Sequence, residues 1–508
     1  MIVAADLEIQ SFPLFIGGHW VPARSGETFE VMNPATGQVV AKVAKAGKED
    51  VDYAVLVART TFDSGVWSEL SPEARAAMLM SFAQKIMENA DELVYLESIS
   101  SGGTVRRIAL SDILQIGDLL VQTAKFVQEY KYVEHLPIPT VPGPAEGQVW
   151  REPIGVCAAI TPWNFPMMLA MWKVIPALAM GNCIVVKPAS NTPLSTLKLA
   201  ELAVQAGIPG GVLNVVAGPG ASTGEALVTH PLVDKVAFTG STEVGKRIMH
   251  MASGSVKKIS LELGGKSPSI ILPDADLEIA IPGALFGVFM HSGQICESGT
   301  RLFVHESMYS EVIEQLASKV KDIKLGNPLS ERTGMGPVVS KQQFDIVLNY
   351  IRLGQEEGAR LVCGGKPAVV EGCEGGYFIE PTIFADVRND MRIAQEEIFG
   401  PVLAVIQYKE VEEAIRLAND TIYGLAAGVW TRNINEAYRI ARKLRAGTVW
   451  INDWHLLRSD APFGGYKQSG FGRELGRHAL DEYTQLKHVH VSLVPELEKR
   501  HWLGMLFG

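Results

Sequence analysis

The sequence predicts an α/β protein built on a doubly wound parallel sheet. From residue 154 onward, short apolar runs alternate with helical patterns, which predicts strands at 156–159, 183–187, 212–216, 235–238 and 257–261. Helices are predicted between them at 173–180, 194–206, 224–228 and 244–252. Repeated βα units of this size form parallel sheets. A second α/β series from 263 to 452 predicts a second domain.

The segments before this core have other local sequence patterns. Residues 15–20 contain a Gly-Gly pair between apolar residues, which predicts a hairpin within an N-terminal arm at 1–40. Apolar residues recur at helical spacing over 48–130, and Ser71 before a proline is a typical helix N-cap. The proline-rich stretch 136–145 predicts extended chain.

Composition excludes several function classes. A net charge of −10 over 508 residues argues against a nucleic-acid or anionic-membrane partner. The apolar stretch 154–180 contains three prolines and Lys173, so a membrane span is not expected. The first residues lack the basic segment of a signal peptide, and the five cysteines show no disulfide or metal-ligand pattern. We therefore expect a cytoplasmic protein without a metal site.

Cys296 is the strongest candidate for a reactive group. It lies in the small-residue segment 291–300 directly after an apolar helix pattern. A free thiol has a pKa near ~8.5 and needs a base or a positive field to attack a carbonyl at neutral pH. Glu262 stands among apolar residues before a Gly-Gly turn, where burial would raise its pKa toward that of a general base. We expect the other four cysteines to be packing residues.

A nucleotide site is indicated at two strand ends. Residues 236–246 run from an apolar strand through a small-residue turn into a helix, whose first amides suit a phosphate. The turn is not G-x-G-x-x-G, so this signal alone is weak. Lys187 ends the strand at 183–187, where its ammonium could reach a ribose hydroxyl or a phosphate.

Seven motifs together identify a resemblance to the aldehyde dehydrogenase superfamily over residues 15–490. They are TPWNFP at 161–166, KPAS at 187–190, FTGS at 238–241, LELGGK at 261–266, GQIC at 293–296, EIFGP at 397–401 and PFGGYK at 462–467. The resemblance implies an NAD(P)-dependent enzyme that does not acylate coenzyme A. It would oxidise a small-molecule aldehyde to a carboxylic acid.

The resemblance also implies catalytic roles. Cys296 would form a thiohemiacetal and then a thioester, and Glu262 would activate the thiol or the hydrolytic water. Asn164 and the backbone N–H of Cys296 would hold the oxyanion. Lys173 and Glu474 match proton-relay positions.

Cofactor and substrate residues follow by the same resemblance. Residues implied at the NAD or NADP site are Ile160, Pro162, Trp163, Lys187, Ser190, Gly220, Phe238, Gly240, Ser241, Leu263, Glu397 and Phe399. Residues implied at the substrate tunnel are Phe165, Met168, Leu169, Trp172, Ile295 and Phe463. Their apolar character favours an aromatic or medium-chain aliphatic aldehyde. A semialdehyde is the alternative, with Arg458 as a single candidate charge.

The domain organisation implied by the resemblance has four parts. A cofactor domain spans 1–133 and 154–262, and the catalytic domain spans 263–480. Oligomerisation strands lie at 134–153 and 481–495, which implies a homodimer or homotetramer. The tail 496–508 carries five apolar residues near its end. We expect it to turn at Pro495 and dock on its own or a neighbouring subunit, near the substrate mouth.

Three residues depart from the family pattern. Ser190 stands where many NAD-preferring members carry glutamate, so NADP is admissible. Glu297 directly follows the nucleophile, and we expect its side chain to point away because successive residues at a helix start diverge. His291 leaves a Cys–His pair open, although packing is the favoured role.

Two other functions remain as alternatives. A thiol esterase could use the same cysteine, but it would not need Lys187, Ser241 and Glu397. A protein that kept the fold and lost catalysis would have lost Cys296, Glu262 or Asn164, and all three are present.

Overall fold

Four β-sheets organise the chain in a computed structural model that describes residues 10–507. The α/β class and the parallel, doubly wound core are confirmed. The parts of the predicted arm and tail at residues 1–9 and 508 lie outside the described residues. Within 10–507, no helix is both long enough and apolar enough to cross a membrane.

Residues 10–262 contain twelve strands and nine α-helices. The strands are β1 (Gln10–Phe12), β2 (Leu14–Ile16), β3 (His19–Val21), β4 (Thr28–Asn33), β5 (Gln38–Ala44), β6 (Val133–Leu136), β7 (Ala145–Pro153), β8 (Val156–Ile160), β9 (Cys183–Lys187), β10 (Leu213–Val215), β11 (Lys235–Thr239) and β12 (Lys258–Glu262). The helices are α1 (Lys48–Asp63), α2 (Pro72–Glu88), α3 (Ala90–Ser101), α4 (Val105–Arg107), α5 (Leu114–Glu129), α6 (Pro166–Ala179), α7 (Leu194–Gln205), α8 (Glu225–Thr229) and α9 (Thr242–Ala252).

The second half is a further α/β unit. Its strands are β13 (Pro268–Ile271), β14 (Arg301–His305), β15 (Arg360–Cys363), β16 (Thr382–Ala385), β17 (Val402–Tyr408), β18 (Ala426–Trp430), β19 (Thr448–Ile451), β20 (Gly470–Phe471) and β21 (Thr484–Ser492). Its helices are α10 (Leu277–Phe289), α11 (Tyr309–Lys319), α12 (Lys341–Glu356), α13 (Arg392–Gln395), α14 (Val411–Asn419), α15 (Ile434–Lys443), α16 (Gly476–Glu482) and α17 (Gly504–Phe507).

The first large sheet has the strand order β20-β12-β11-β8-β9-β10-β2-β3. Its five central strands, β12 to β10 in that order, run parallel, and the predicted hairpin β2–β3 closes one edge antiparallel. The strand order reverses between β8 and β11, which is the point where nucleotide ligands bind at the carboxyl ends of the strands. β11 and β12 carry Thr239 and Glu262 to that edge.

The second large sheet has the order β15-β16-β17-β14-β13-β18-β19 and is parallel except for β15. β20, from the segment assigned to the catalytic domain, pairs instead with β12 of the first sheet. The two units therefore interlock beside Glu262. The domain boundaries stay predictions.

A third sheet joins the two segments predicted as oligomerisation strands. β21 pairs antiparallel with β7 over nine residues, and β6 pairs with the other edge of β7. Most residues of β21 are exposed.

The predicted helix at 173–180 is wrong in its start. Helix α6 begins at Pro166, where a proline suits the first helical turn because its missing N–H has no partner there. Every residue of α6 is buried, including Lys173. A helix buried on all sides has no polar face, so apolar periodicity could not locate its first two turns.

The tail folds back onto its own chain. A methyl group at Gly143 would lie 2.7 Å from the indole of Trp502, so this ring covers the chain that connects β6 and β7. The guanidinium Nε of Arg500 donates to the carbonyl of Val494 at 2.8 Å and holds the turn after Pro495. The described tail residues line no part of the large pocket presented below. The tail therefore contacts its own chain at Gly143, in the β6–β7 connection and away from the pocket.

We expect Trp502→Ala, or deletion of 496–508, to lower the melting temperature, because it uncovers the β6–β7 connection. Loss of part of one indole contact corresponds to about 1 kcal/mol. Thermal unfolding and light scattering measure the effect, with Lys499→Ala as a matched control because Lys499 pairs only with exposed Glu496. Equal melting temperatures and equal masses for all variants would leave the tail without a structural role.

Candidate active site

Cys296 lies in a loop whose path depends on glycine. Helix α10 ends at Phe289, a short turn follows over Met290–Gly293, and the loop then leads into β14. Gly293 has φ +72°, and a methyl group there would lie 2.1 Å from the carbonyl oxygen of Gly400. Only glycine fits this position, and it brings the cysteine loop against the EIFGP segment.

A second close backbone approach brings the end of β12 to the same loop. A methyl group at Gly265 would lie 2.3 Å from the carbonyl oxygen of Cys296. Glu262 stands three residues before this glycine, at the last position of β12. The Gly-Gly turn therefore brings the predicted base toward the predicted nucleophile, and the charge of Glu262 acts on the thiol.

Glu262 is a buried carboxyl group whose two oxygens have no hydrogen-bond partner among the described residues. Burial raises its pKa well above the usual value, and the charge of Glu474 raises it further. The charge of Lys173 opposes this shift. A carboxyl group with a raised pKa binds a proton more readily than an exposed one, which suits a general base.

Lys173 and Glu474 meet beside this carboxyl group. The Lys173 Nζ donates to Glu474 Oε1 at 2.5 Å and to Thr239 Oγ1 at 2.6 Å. Both charges are buried, and their pairing offsets part of the cost of burial. The sequence alone gave no sign that α6 and the 474 segment would touch.

Asn164 contacts the cysteine loop from the other side. Its Nδ2 donates to the carbonyl of Gln294 at 2.9 Å, two residues before Cys296. Its Oδ1 has no partner among the described residues. The amide is thus fixed against the cysteine loop, and its Nδ2 makes this one hydrogen bond among the described residues.

The predicted cofactor residues gather at the carboxyl edge of the first sheet. Ser241 is the N-cap of α9, where its hydroxyl accepts from the Val244 N–H at 3.4 Å. The Gly240 N–H donates to the Glu262 carbonyl at 3.1 Å, so this turn lies directly against β12. Two strands flank the topological switch: Ile160 is the last residue of β8, and Phe238 is the next-to-last residue of β11. Pro162 and Trp163 follow Ile160. Gly220 opens the turn after β10, and Leu263 packs on α9 at Gly245.

Lys187 is a buried ammonium group at the end of β9. Its Nζ donates to the carbonyl of Pro188 at 2.9 Å, and burial lowers its pKa to about 8. Ser190, three residues after Lys187, is half-buried. Its hydroxyl donates to the carbonyl of Gly218 at 2.9 Å.

Glu397 and Phe399 belong to the EIFGP segment, which lies against the cysteine loop and the turn after β12. The Glu397 Oε1 accepts from the Gly265 N–H at 3.1 Å, and burial raises the pKa of Glu397 to about 7. Phe399 has φ +56°, an unusual conformation for a bulky residue, and its ring packs edge-on against Trp163 at 5.1 Å. Strained backbone of this kind is common at ligand sites.

A pocket of about 1190 Å³ opens on the thiol. Cys296 lines it, and so do four of the six residues implied at the substrate tunnel: Phe165, Met168, Leu169 and Trp172. Ile295 and Phe463 are buried and do not line it. Phe463 packs edge-on behind Trp172, with 5.3 Å between the ring centroids.

The expectation that Glu297 points away from the thiol is wrong. No helix begins at Cys296, so the argument from diverging side chains does not apply. The Cys296 Sγ donates to Glu297 Oε2 at 3.1 Å. His291, by contrast, packs edge-on against Phe165 at 5.2 Å and makes no hydrogen bond to the thiol, as its packing role predicts.

Sequence reasoning missed several pocket residues. They come from α4, the end of α10 and the loop before β20, and include Arg107, Phe289, Met290, His455 and Leu457. The apolar pairs in 286–290 and 454–457 were a usable signal. The sequence did not indicate that both segments line the same pocket, because that depends on how the two units pack.

A family model described as "Aldehyde dehydrogenase family" matches residues 20–489. The chain belongs to the aldehyde dehydrogenase family. A betaine aldehyde dehydrogenase of Bacillus subtilis is 46% identical over 95% of this chain and 98% of its own. A phenylacetaldehyde dehydrogenase of Pseudomonas fluorescens is 43% identical over 94% and 95%. A solved NAD+ complex of a Bacillus cereus aldehyde dehydrogenase is 46% identical with a TM-score of 0.92, covering 96% of this chain and 97% of that one.

We expect Glu262→Gln to stabilise this aldehyde dehydrogenase at high pH. Because the folded-state pKa of Glu262 is raised, its contribution to stability is present below the unfolded pKa and is lost as pH rises through the folded pKa. The variant should match the wild type near pH 5 and exceed it by about 1 kcal/mol or more near pH 8.5, which urea denaturation at both pH values measures.

Glu474→Gln is the matched contrast, because it leaves Lys173 as an unpaired buried charge. It should destabilise the protein by about 3 kcal/mol at pH 7. A pH-independent difference between Glu262→Gln and the wild type would contradict the raised pKa.

Proposed function

We propose that the protein oxidises an aldehyde to a carboxylic acid through a covalent thioester on Cys296. This proposal rests on the convergence of two residues on the cysteine loop. Glu262 lies at the end of β12, and Asn164 lies in the segment that follows β8. A thiol, a carboxyl group with a raised pKa and an amide N–H are the groups that acyl chemistry requires.

The first half-reaction forms and oxidises a thiohemiacetal. The Cys296 Sγ attacks the aldehyde carbon, and the electron pair of the carbonyl moves to oxygen. The second N–H of the Asn164 amide and the backbone N–H of Cys296 stabilise that oxyanion, and one such donor contributes about 10²–10³ in rate. A nicotinamide held by the cofactor residues would supply the hydride acceptor that this oxidation needs, and Cys296 would then carry the acyl group as a thioester.

The second half-reaction is hydrolysis. Glu262 takes a proton from water, which attacks the thioester and releases the acid and the thiol. The Lys173–Glu474 pair beside Glu262 is a route by which the proton leaves the buried site.

The cofactor is a nicotinamide dinucleotide, NAD or NADP. Lys187 is buried and makes its one side-chain hydrogen bond, among described residues, to a carbonyl. Its remaining hydrogens suit the adenosine ribose or a phosphate. Ser241 at the start of α9 suits the pyrophosphate, and Glu397 with Phe399 suits the nicotinamide ribose. The Bacillus cereus relative is an NAD+ complex, which supports this assignment.

An aromatic or medium-chain aliphatic aldehyde is the proposed substrate. Phe165, Trp172 and Phe289 give the pocket an aromatic lining, and a phenylacetaldehyde dehydrogenase is among the relatives. Two cationic side chains that line the pocket are already paired. Arg107 pairs with buried Asp112, and exposed Arg458 pairs with Asp460. Arg106, Lys324 and Arg332 also line the pocket and have no ion pair among the described residues, so a semialdehyde stays the alternative substrate.

We also propose a homodimer or homotetramer in a reducing, cytoplasmic setting. Among the described strands, nine-residue β21 pairs with β7 alone, and an exposed unpaired strand edge favours pairing with a second subunit. The five cysteines are all free, which suits a reducing compartment.

Cys296→Ala should abolish NAD(P)H formation with every aldehyde while cofactor binding stays within a few-fold of wild type. Absorbance at saturating cofactor across aromatic, aliphatic, betaine and semialdehyde substrates tests activity and substrate class together. Full activity of the variant would contradict the role of Cys296. A wild-type enzyme that is most active on semialdehydes would contradict the proposed substrate class.

Ser190→Glu should shift cofactor preference toward NAD. Its carboxylate would lie near Lys187 and repel a 2′-phosphate, by about 1–3 kcal/mol or tenfold to a hundredfold in the ratio of specificity constants. Steady-state kinetics with both cofactors measures this ratio, with Ser190→Gln as the uncharged control. If Ser190→Glu and Ser190→Gln both give the wild-type ratio, the assignment of Ser190 to the cofactor site is wrong.

A further inference from the structure

The site contains a second carboxylate, Glu297, in direct contact with the nucleophile. Its Oε2 accepts from the Cys296 Sγ at 3.1 Å, and its Oε1 lies 3.0 Å from Nδ1 of His455. The Glu297 side chain is 6% exposed and that of His455 is 2% exposed. All three residues line the pocket that opens on the thiol.

The tautomer of His455 follows from the chemistry of its partner. Burial alone would raise the pKa of Glu297, but the hydrogen bond from His455, its charge and the hydrogen bond from Cys296 hold that pKa below its usual value. Glu297 is therefore a carboxylate, which can only accept. Nδ1 of His455 consequently carries the hydrogen and donates it to Oε1.

His455 is held firmly in this position. Its backbone has φ +62°, a conformation that a residue other than glycine seldom adopts. Its ring packs edge-on against Phe286 and Trp454, with centroid distances of 5.5 and 6.3 Å. A buried polar contact that keeps backbone in this region is typical of a functional site.

Glu262 does not make the corresponding contact. Both of its oxygens lack a hydrogen-bond partner among residues 10–507, so neither is bonded to the thiol. Two carboxylates thus act on Cys296, and in the free protein only Glu297 touches it.

We propose that Glu297 accepts the thiol proton of Cys296 as Sγ attacks the aldehyde, with His455 as a positioning residue and Glu262 reserved for the hydrolytic water. This inference rests on the proposed function. In the step, the Sγ–carbon bond forms, the carbonyl electron pair moves to oxygen, the S–H bond breaks and the proton passes to Oε2. No group is oxidised or reduced in this step.

The electrostatics of the thiol fit a proton transfer that accompanies the attack. Burial raises the pKa of Cys296 well above its usual value, and the negative charges of Glu297, Glu397 and Glu262 raise it further. A preformed thiolate is therefore disfavoured. Bonding to the carbonyl carbon makes the S–H group far more acidic, and a carboxylate already in contact can then take the proton.

The first experiment separates the two carboxylates by stopped-flow measurement of the first turnover. Glu297→Gln should slow the NAD(P)H burst by about a hundredfold, which is a typical contribution of a general base. The first turnover would then be no faster than the later ones. Glu262→Gln should keep the burst rate within a few-fold and slow only later turnovers. Ser298→Ala is the matched control, since its hydroxyl has no partner among described residues. A wild-type burst rate in Glu297→Gln would overturn the proposal.

The second experiment needs no turnover, so it distinguishes failure of this inference from failure of the proposed function. The pH dependence of Cys296 alkylation by iodoacetamide, followed by mass spectrometry, gives the thiol titration midpoint. Removing the negative charge should lower this midpoint by about one pH unit or more in Glu297→Gln. An unchanged midpoint would show that thiol and carboxylate do not touch in solution. If Glu297→Gln does not fold, Glu297→Asp, which withdraws the carboxylate by one methylene, should give the same slow burst.

The positioning role of His455 is tested with a rescuing variant. His455→Asn retains an N–H near the place of Nδ1 and should keep the burst rate within about tenfold. His455→Leu lacks the donor and should slow the burst as much as Glu297→Gln, with little change in KM. Equal burst rates in the Asn and Leu variants would remove His455 from the mechanism.

Discussion

The close backbone packing around the cysteine loop is the constraint on which the site depends. Gly293 lies against the carbonyl of Gly400, and Gly265 lies against the carbonyl of Cys296. No side chain fits in either gap. These two contacts fix the thiol between the carboxyl end of the first sheet and the EIFGP segment, so every other group of the site is placed relative to them.

The buried charges around this loop form two different environments. On the side of the first sheet, Glu262 has a raised pKa and no hydrogen-bond partner among the described residues, while the adjacent Lys173 and Glu474 pair with each other. On the pocket side, Glu297 is held as a carboxylate by His455. Environments that push the pKa values of two carboxyl groups apart are a general means of dividing acid and base tasks. Here they would divide proton transfer between the two half-reactions.

The pocket combines elements that are far apart in the chain. Helix α6 supplies Met168 and Trp172, the end of α10 supplies Phe289, and the loop before β20 supplies His455. β20 then pairs with β12 and returns the chain to the first sheet beside Glu262. Cys296, Glu262 and the pocket are therefore parts of one interlocked unit.

The sequence by itself determined the α/β class, because short apolar runs alternating with helices leave few other arrangements. Local patterns also predicted roles for Cys296, Glu262 and Lys187, and the family resemblance predicted one for Asn164; these roles stay predictions. Only the tertiary structure decided the start of α6, whose fully buried surface has no periodic signal. It also decided the direction of Glu297 and its partner His455, 158 residues away. Side-chain direction in an irregular loop and contacts between distant segments depend on packing, which local sequence patterns do not record.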